Sequence, residues 1–314
     1  MLLRYLRHSE IDLSAWEACI AAAPHALPYA CAWWLAATAV RWDAVVEMKE
    51  DTGTYASIFP LPIKTRPWGR DVYQPPFTQQ LGLITTAASR HRNVLDYLAL
   101  LPAGRFAHLY LQLSTQNELV AAPTGFKLTP RQTYQLNLAP VYATLLAGYS
   151  PDYRRRLGRN QEQPQPLIVT ETMSAKAVIQ LFKKEKVAVG LKSQEYQHLE
   201  ALVESLPMHS RLLILEVRAP NSGELLAGAL FVYHAHTIIY LFAAASLGGK
   251  KVGAPLLLLD HVIQRYAGSP GLVLDFEGGM IPSIARFFAN FGATPVPYAA
   301  LTQTRQPWYL QWMR

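Results

Sequence analysis

The spacing of apolar residues predicts amphipathic helices and short strands that alternate along the whole chain. In residues 9–23, Leu13, Trp16 and Ile20 recur at helical spacing, whereas the apolar run before Asp275 is short and bounded by turn residues, as in a buried strand. The predicted helices are residues 9–23, 29–40, 93–101, 175–190, 195–205, 254–266 and 281–290. The predicted strands are residues 45–48, 55–61, 71–73, 108–113, 126–138, 212–217, 226–233, 237–243, 272–275 and 293–301.

The two halves of the chain carry similar segments in the same order, which predicts an internal duplication. A turn followed by a strand occurs at residues 51–59 and again at 221–231, and a short Tyr-bearing strand follows at 71–73 and 238–240. A Gly and Pro segment then precedes a further strand at residues 125–130 and 291–295. The boundary is expected between residues 138 and 150, which gives domains of residues 1–140 and 141–314.

Composition narrows the class of protein. The chain of 314 residues is 51% hydrophobic and 16% charged, with a net charge of +7. That charge favours an anionic partner such as a nucleotide cofactor, RNA or an anionic lipid head group, although it equally serves solubility. No apolar run reaches the ~18 residues of a membrane helix, and the N-terminus lacks a secretory pattern. A cytoplasmic protein is expected, with Cys19 and Cys31 as buried thiols.

Several segments of the second half together resemble a known family. They are residues 149–160, with their arginine run, and 223–231, 240–245, 274–279 and 286–292. In this order they are similar to the FemAB-like acyltransferases of the GNAT superfamily. The resemblance implies an α+β fold of two tandem GNAT-type domains, each a mixed, mostly antiparallel sheet flanked by helices.

The same resemblance implies an N-acyltransferase or aminoacyltransferase. The donor would be acyl-CoA or aminoacyl-tRNA, bound as a co-substrate, with no tightly bound cofactor. The acceptor would be an amine, for example on a cell-envelope peptidoglycan precursor. DNA is not an expected partner, whereas a peripheral membrane contact and the oligomeric state stay open. A protein that binds RNA or another anionic ligand without catalysis is the alternative from a different class.

A glycine- and lysine-rich segment is the candidate donor-binding loop. Glycines let backbone N–H groups approach a phosphate, and the segment precedes a predicted helix N-terminus. Pro255, however, stands where the GNAT pyrophosphate loop has Gly or Ala, which leaves a non-CoA donor open. A flexible surface loop is the alternative. The predicted cofactor-binding residues are Tyr240, Gly248, Gly249, Lys250, Lys251, Val252 and Gly253.

Asp275 and Glu277 follow a predicted strand at a spacing of two, so they project from one face of an extended chain. A carboxylate can position or deprotonate an attacking amine, and both residues are therefore candidate catalytic groups. The alternative is that Asp275 caps the following helix or pairs with Arg286 while Glu277 is solvated. In the first half, the corresponding strand at 110–113 has no carboxylate. The catalytic and donor sites are therefore expected in the second domain, residues 141–314, and a degenerate donor site in the first, residues 1–140.

Arg286 is a candidate substrate-binding residue, and further candidates lie in two other segments. Arg154 and Arg155 belong to the densest positive stretch, which could grip phosphate or could be an ordinary solvated helix face. Gln74, Phe77 and Gln79 lie in a proline-rich loop that could line an acceptor channel or serve a structural role. The histidines show no metal-ligand spacing, and no metal site is predicted.

Overall fold

The computed structural model describes residues 1–67, 69–102, 104–185 and 191–305. The described chain forms two compact units, one of residues 1–132 with residues 297–305 and one of residues 133–296. The assignment of a degenerate donor site to residues 1–140 and of the working site to residues 141–314 stays a prediction.

The first unit is built on a mixed sheet in the order β1-β2-β3-β4-β6-β13, with β5 paired to β3. Strand β4 runs parallel to β6, and the other pairs are antiparallel. Its strands are β1 (Leu2–Leu6), β2 (Trp42–Met48), β3 (Tyr55–Arg66), β4 (Gly69–Val72), β5 (Ile84–Thr85) and β6 (Phe106–Gln112), and it ends with part of β13 (Thr294–Thr304). Its helices are α1 (Leu13–Ala22), α2 (Ala32–Thr38) and α3 (Val94–Leu98).

The second unit repeats this plan with the order β7-β12-β11-β10-β9-β8. Here β11 and β12 form the parallel pair. Its strands are β7 (Lys127–Asn137, from residue 133), β8 (Val169–Thr172), β9 (Arg211–Arg218), β10 (Leu225–His234), β11 (Thr237–Ala245) and β12 (Val273–Asp275). Its helices are α4 (Tyr142–Ala147), α5 (Pro151–Gln161), α6 (Lys176–Glu185), α7 (Ser193–His209), α8 (Leu247–Val252), α9 (Ala254–Tyr266) and α10 (Pro282–Ala289).

Each unit therefore has antiparallel strands, one parallel pair joined through a helical connection, and an antiparallel strand beside that pair. This arrangement confirms the predicted α+β class and the tandem, mostly antiparallel sheets. The last strand of each sheet comes from the other half of the sequence. Strand β13, from the end of the sequence, pairs with β6 of the first unit, and β7, from the first half, pairs with β12 of the second unit.

Helix α7 departs from the prediction because it runs through Pro207 to His209 instead of ending near residue 205. Proline costs an interior helix a hydrogen bond, but Leu199, Leu202 and Leu206 are all fully buried and hold the helix against the core. Of the predicted helix 175–190, the structure has α6, and residues 186–190 lie outside the described chain.

Each unit has its own apolar core, with Phe59, Leu61 and Leu111 at the centre of the first and Phe231, Phe276 and Phe291 at the centre of the second. Cys19 and Cys31 are buried free thiols, as predicted. Burial raises the pKa of the Cys19 thiol to about 12, so this thiol is a packing group rather than a reactive one. Within the described residues, no helix has the length and hydropathy needed to cross a membrane.

A buried glutamate ties the loop before α3 to strand β2. Glu47 is 0% exposed and accepts hydrogen bonds from Ser89 Oγ at 2.7 Å and from the N–H groups of Arg90 at 3.0 Å and His91 at 3.3 Å. Burial alone would raise its pKa, but these hydrogen bonds outweigh burial and lower the pKa. The ionised carboxylate therefore stabilises the first unit.

We expect Glu47→Gln to lower the free energy of unfolding by about 2 kcal/mol. The NH₂ group of the glutamine side chain cannot accept hydrogen bonds from the O–H and N–H groups that donate to the carboxylate of Glu47. The contribution of Glu47 is present above its unfolded-state pKa and is lost as pH falls through the lower folded-state pKa. Chemical denaturation near neutral pH and again in acid measures this, with the exposed Glu50→Gln as control. Equal unfolding free energies of both variants at neutral pH would contradict the assignment.

Candidate functional site

Strand β11 of the second unit runs on past the end of its parallel partner β12, and we call the place where β12 no longer covers this edge of β11 the β11–β12 opening. The two strands pair only from Thr237 to Ile239, opposite Val273 to Asp275. Beyond this point β12 ends, while β11 continues to Ala245. A register shift against β10 makes Leu241 an extra residue in β11, and such a bulge bends the strand where the opening begins. The β12-facing edge of β11 therefore has backbone groups without a ladder partner in β12.

Aromatic residues form the wall of the opening. Tyr240 is the first residue of β11 past the paired segment, and its ring lies 5.1 Å from that of Phe231 and 6.2 Å, edge-on, from that of Phe288. Phe288 in turn lies 4.8 Å from Phe276, the residue that follows β12. Burial raises the pKa of Tyr240, so its hydroxyl stays protonated and can donate a hydrogen bond to a ligand. Sequence reasoning named Tyr240 and missed this aromatic setting.

Asp275 and Glu277 have different environments. Asp275 is 2% exposed and accepts hydrogen bonds from Thr133 Oγ1 at 2.6 Å, Gln135 Nε2 at 2.9 Å and the Glu277 N–H at 2.9 Å. Burial raises its pKa, although these hydrogen bonds act in the opposite direction. Both carboxylate oxygens of Asp275 thus already accept hydrogen bonds. The bond from the Glu277 N–H shows that Asp275 positions the backbone at Glu277.

Glu277 is half-buried and its backbone has φ of +49°, a left-handed conformation that is uncommon for a residue with a side chain. The hydrogen bond from its N–H to Asp275 helps to hold this conformation. Strained backbone of this kind persists where surrounding contacts fix it, and it occurs often at functional sites. Arg286 is exposed in the last turn of α10 and is not among the partners of Asp275, so the alternative of an Asp275–Arg286 ion pair is not formed.

The predicted donor loop contains a short helix, α8, followed directly by α9. Ser246 caps α8 by accepting from the Gly249 N–H at 2.9 Å. Gly249 is packed so closely on β10 that a Cβ atom would lie 2.0 Å from the carbonyl oxygen of Leu226. Gly253 joins the two helices with φ of +85°, a left-handed conformation that glycine adopts without strain. Both glycines are therefore required by the backbone geometry of this turn.

Positive side chains surround the turn between α8 and α9. Lys250 and Lys251 are exposed, and Arg156 of α5 reaches the turn, where its Nη2 atom lies 3.4 Å from the carbonyl oxygens of both lysines. A guanidinium at the C-terminus of α8 is favoured by the helix dipole. Arg156 belongs to the predicted positive stretch, but only Arg154 and Arg155 were predicted to bind substrate. The helical spacing of three residues between the buried Tyr153 and Arg156 was the available signal.

Backbone donors at the start of α9 are few. Pro255 has no N–H group, and the N–H groups of Leu256 and Leu257 already donate to the Gly253 carbonyl at 3.0 Å and 3.3 Å. An anion at this turn would therefore be held mainly by the charges of Lys250, Lys251 and Arg156 rather than by a full backbone cradle.

Helix α5 places its apolar residues on a buried face and its arginines Arg154 and Arg155 on an exposed face. Tyr153 is buried and donates to the Phe287 carbonyl at 3.2 Å, and Leu157 lies one turn further on the same face. Arg154 is exposed, and so is Arg155, which pairs with Asp152 at 2.6 Å. Such an exposed pair is worth little stability, which leaves Arg155 available to an anionic ligand.

A cavity of about 530 Å³ opens beside α8 in the second unit, and sequence reasoning did not anticipate it. Gly248 and Val252 of α8 line one side, and Leu226 and Asn221 belong to the other. A volume of this size is typical of small-molecule sites. Its position next to the lysine-bearing turn provides room for a ligand larger than a phosphate.

The loop residues Gln74, Phe77 and Gln79 lie in the first unit. Gln74 is engaged on both sides, since its Nε2 donates to the Thr78 carbonyl at 2.6 Å and its Oε1 accepts from the Gln112 N–H at 2.9 Å. Gln79 Oε1 accepts from Gln80 Nε2 at 2.9 Å, and Phe77 has φ of +55°. These contacts give Gln74 a structural role, and a contact with substrate stays a prediction.

Within the part of the chain that the structure describes, no three His, Cys, Asp or Glu side chains are grouped as metal ligands. The residues brought together in the second unit are those of the β11–β12 opening, Tyr240, Asp275 and Glu277, and those of the α8–α9 turn, residues 248–253 with Arg156.

Comparison with known protein families gives a match that covers the β11–β12 opening and the α8–α9 turn. Residues 149–280 match the sequence model of a family described as "Acetyltransferase (GNAT) domain". No curated protein matches the chain. The crystal structure of FemX has a TM-score of 0.65 at 11% identity and covers 95% of this chain and 97% of that chain.

Two further structures have the same architecture over nearly the whole length. A tandem GNAT protein from the clavulanic acid biosynthesis pathway, solved without AcCoA, has a TM-score of 0.54 at 15% identity, covering 98% of this chain and 99% of that chain. The C-terminal domain of a putative lysylphosphatidylglycerol synthetase from Agrobacterium fabrum has a TM-score of 0.51 at 10% identity, covering 94% and 92%. At these identities the likeness concerns the fold.

Proposed function

We propose, from a chain that has the GNAT-superfamily, FemAB-like fold in two domains, that this protein is an acyltransferase acting on an amine. The observation that carries the proposal is the opening between β11 and β12, which begins where β12 ends, two residues before Glu277. Strand β11 continues past this point and leads into the α8–α9 turn with its two lysines. An extended acyl donor placed along β11 would have its reactive carbonyl near the start of the opening and its phosphates at the turn.

The chemistry is direct transfer. The amine attacks the carbonyl carbon of the activated acyl group, a C–N bond forms, and the C–S bond of a thioester or the C–O bond of an aminoacyl ester breaks. Glu277 takes the proton that the amine loses, and the leaving thiolate or alkoxide takes up a proton to become the free thiol or hydroxyl. Backbone N–H groups on the unpaired edge of β11 stabilise the oxyanion, while Asp275 positions Glu277.

Two donors fit this arrangement. Acyl-CoA and aminoacyl-tRNA both end in an acyl group and carry phosphates that the cations near Gly253 would attract. The sparse backbone donors at α9 favour a donor whose phosphates are held by side chains. For the acceptor, the FemAB-like resemblance implies an amine of a cell-envelope precursor, and Arg154, Arg155 and Arg286 are its proposed anion contacts within the second unit.

A second candidate function follows from the same turn. Because Pro255 removes one N–H and two others are engaged, the turn could bind an anionic ligand or RNA without positioning an acyl group for transfer. In this alternative the protein has the acyltransferase fold and binds without catalysis.

Calorimetry with coenzyme A, acetyl-CoA, uncharged tRNA and aminoacyl-tRNA separates the two candidates. We expect one acylated donor to bind with a dissociation constant of roughly 1 µM to 1 mM, the usual range for enzyme substrates. Lys251→Met should weaken this donor roughly two- to fivefold, as for an exposed ion pair, whereas the exposed Lys184→Met on α6 should not. Equally tight binding of uncharged and aminoacylated tRNA, together with no binding of acetyl-CoA and no transfer to any amine, would contradict the enzyme and support the alternative.

A further inference from the structure

A row of ionisable residues crosses the sheet of the first unit on the face opposite its core. Lys64 of β3 stands opposite Asp71 of β4, and Asp71 stands opposite His108 of β6. Their sequence neighbours Ile63, Val72 and Leu109 are buried in the core, and side chains alternate between the two faces of a strand. The three ionisable side chains therefore share the other face. Thr304 of β13 extends the row, with its Oγ1 at 3.1 Å from His108 Nδ1.

Asp71 is unusually buried for a carboxylate on this face. It is only 8% exposed, and its Oδ2 lies 3.6 Å from Arg66 Nε. Its Oδ1 is sealed from solvent and has no hydrogen-bond partner among the described residues. A buried carboxylate with an oxygen that lacks a donor is costly, and a ligand that supplies an N–H or O–H group to the Asp71 carboxylate would offset this cost.

A small cavity of about 260 Å³ adjoins this carboxylate. Lys64, Arg66, Asp71 and His108 line it, and Tyr73, Gln74 and Tyr110 complete the wall. Lys64 Nζ lies 5.7 Å from the centre of the Tyr73 ring, a cation–π distance that orients the ammonium group. The volume is below the range of about 300–1,000 Å³ for drug-sized ligands, and it suits a molecule of amino-acid size.

The charges of the lining select the chemistry of the ligand. A simple anion would be attracted by Lys64 and Arg66 but would leave Asp71 Oδ1 without a donor. A simple cation would suit Asp71 but would meet two like charges. We propose that this cavity binds a free α-amino acid, whose ammonium group donates to Asp71 and whose carboxylate is held by Lys64 and Arg66. The site lies wholly within the first unit and does not depend on the acyl-transfer chemistry of the second.

Calorimetric titration with each of the twenty common L-amino acids tests the proposal. At least one should bind, and its N-acetyl derivative and its decarboxylated amine should each bind at least tenfold more weakly, because each lacks one of the two charges. Asp71→Asn should weaken the amino acid at least tenfold, since the amide presents no negative charge to the ammonium. The exposed Asp51→Asn in the β2–β3 turn is the matched control and should bind as the wild type does.

Thermal unfolding of Asp71→Asn and Asp51→Asn establishes whether the sheet is intact. If Asp71→Asn fails to fold, amino-acid binding is measured with Lys64→Met instead, which should also weaken it. Absence of binding by every amino acid at millimolar concentration would overturn the proposal. So would binding that neither Asp71→Asn nor Lys64→Met weakens, since the ligand would then lie elsewhere. The result does not bear on donor binding in the second unit, so the two proposals fail independently.

Discussion

Replacing Glu277 by Gln is expected to leave the affinity for the acyl donor unchanged and to lower kcat by roughly 10²–10⁴-fold, the usual contribution of a general base. The amide keeps the size of the side chain and the left-handed backbone at this position, but it cannot take the proton from the attacking amine. Donor affinity comes from calorimetry, and turnover comes from the release of free thiol or deacylated tRNA with a panel of amines.

Glu224→Gln is the control, because Glu224 is an exposed carboxylate in the β9–β10 turn of the same unit. It should change neither quantity. Turnover of Glu277→Gln equal to that of the wild type would show that the amine loses its proton to another group, and catalysis would then rest on positioning and the β11 backbone. A loss of donor affinity together with turnover would instead make Glu277 a binding residue.

Replacing Gly249 by Ala is expected to disrupt α8 and abolish donor binding. The added Cβ would lie 2.0 Å from the Leu226 carbonyl oxygen and 2.6 Å from its carbon, and strand backbone cannot move aside cheaply. Overpacking of this kind costs about 1–3 kcal/mol or displaces the helix. Thermal unfolding and donor calorimetry measure the two consequences.

Gly248→Ala provides a matched control one residue earlier in the same helix. Its Cβ would have only the Ser246 Oγ nearby, at 3.8 Å, which is an ordinary contact. Because Ala favours helix by up to about 1 kcal/mol over Gly, this variant should be as stable as the wild type or more stable. If both variants bound the donor equally well, the α8–α9 turn would not be the phosphate site.

The sequence predicted much of the fold because local patterns and global structure agree in the second half. The helix 254–266 was predicted with the bounds that α9 has, since its apolar face is continuous and Gly253 and Pro255 mark its start. Strands β9, β10 and β11 were predicted within a few residues for the same reason. The resemblance to FemAB-like proteins, based on these segments, is confirmed at the level of fold.

The elements that were missed depend on tertiary contacts. Strand β1 has no alternating pattern of its own, and it forms because it pairs along β2 and because Tyr5 donates to Asp43. Helix α8 contains two glycines and two lysines, a composition that predicts a loop; the Ser246 cap and the close packing of Gly249 on β10 produce a helix instead. Propensity alone could not anticipate either outcome.

The candidate site shows the same limit. Sequence spacing placed Asp275 and Glu277 side by side, but only the structure shows that Asp275 is occupied by Thr133 and Gln135, residues far away in the chain. Likewise, only the structure shows that Arg156 contacts the α8–α9 turn, because Lys250 is far from it in the chain. The row of Lys64, Asp71 and His108 comes from three strands, and no local pattern connects them.

Hydrogen exchange of the backbone amides, measured with and without a saturating acyl donor, tests most directly whether the β11–β12 opening is the donor site. The probe is acetyl-CoA or, if calorimetry shows that only it binds, aminoacyl-tRNA. We expect slower exchange in residues 240–245 and 249–257, where unpaired strand edge and the α8–α9 turn would contact the donor, and no change in β9. Bound donor without protection of residues 240–245 would show that the donor does not bind at the β11–β12 opening.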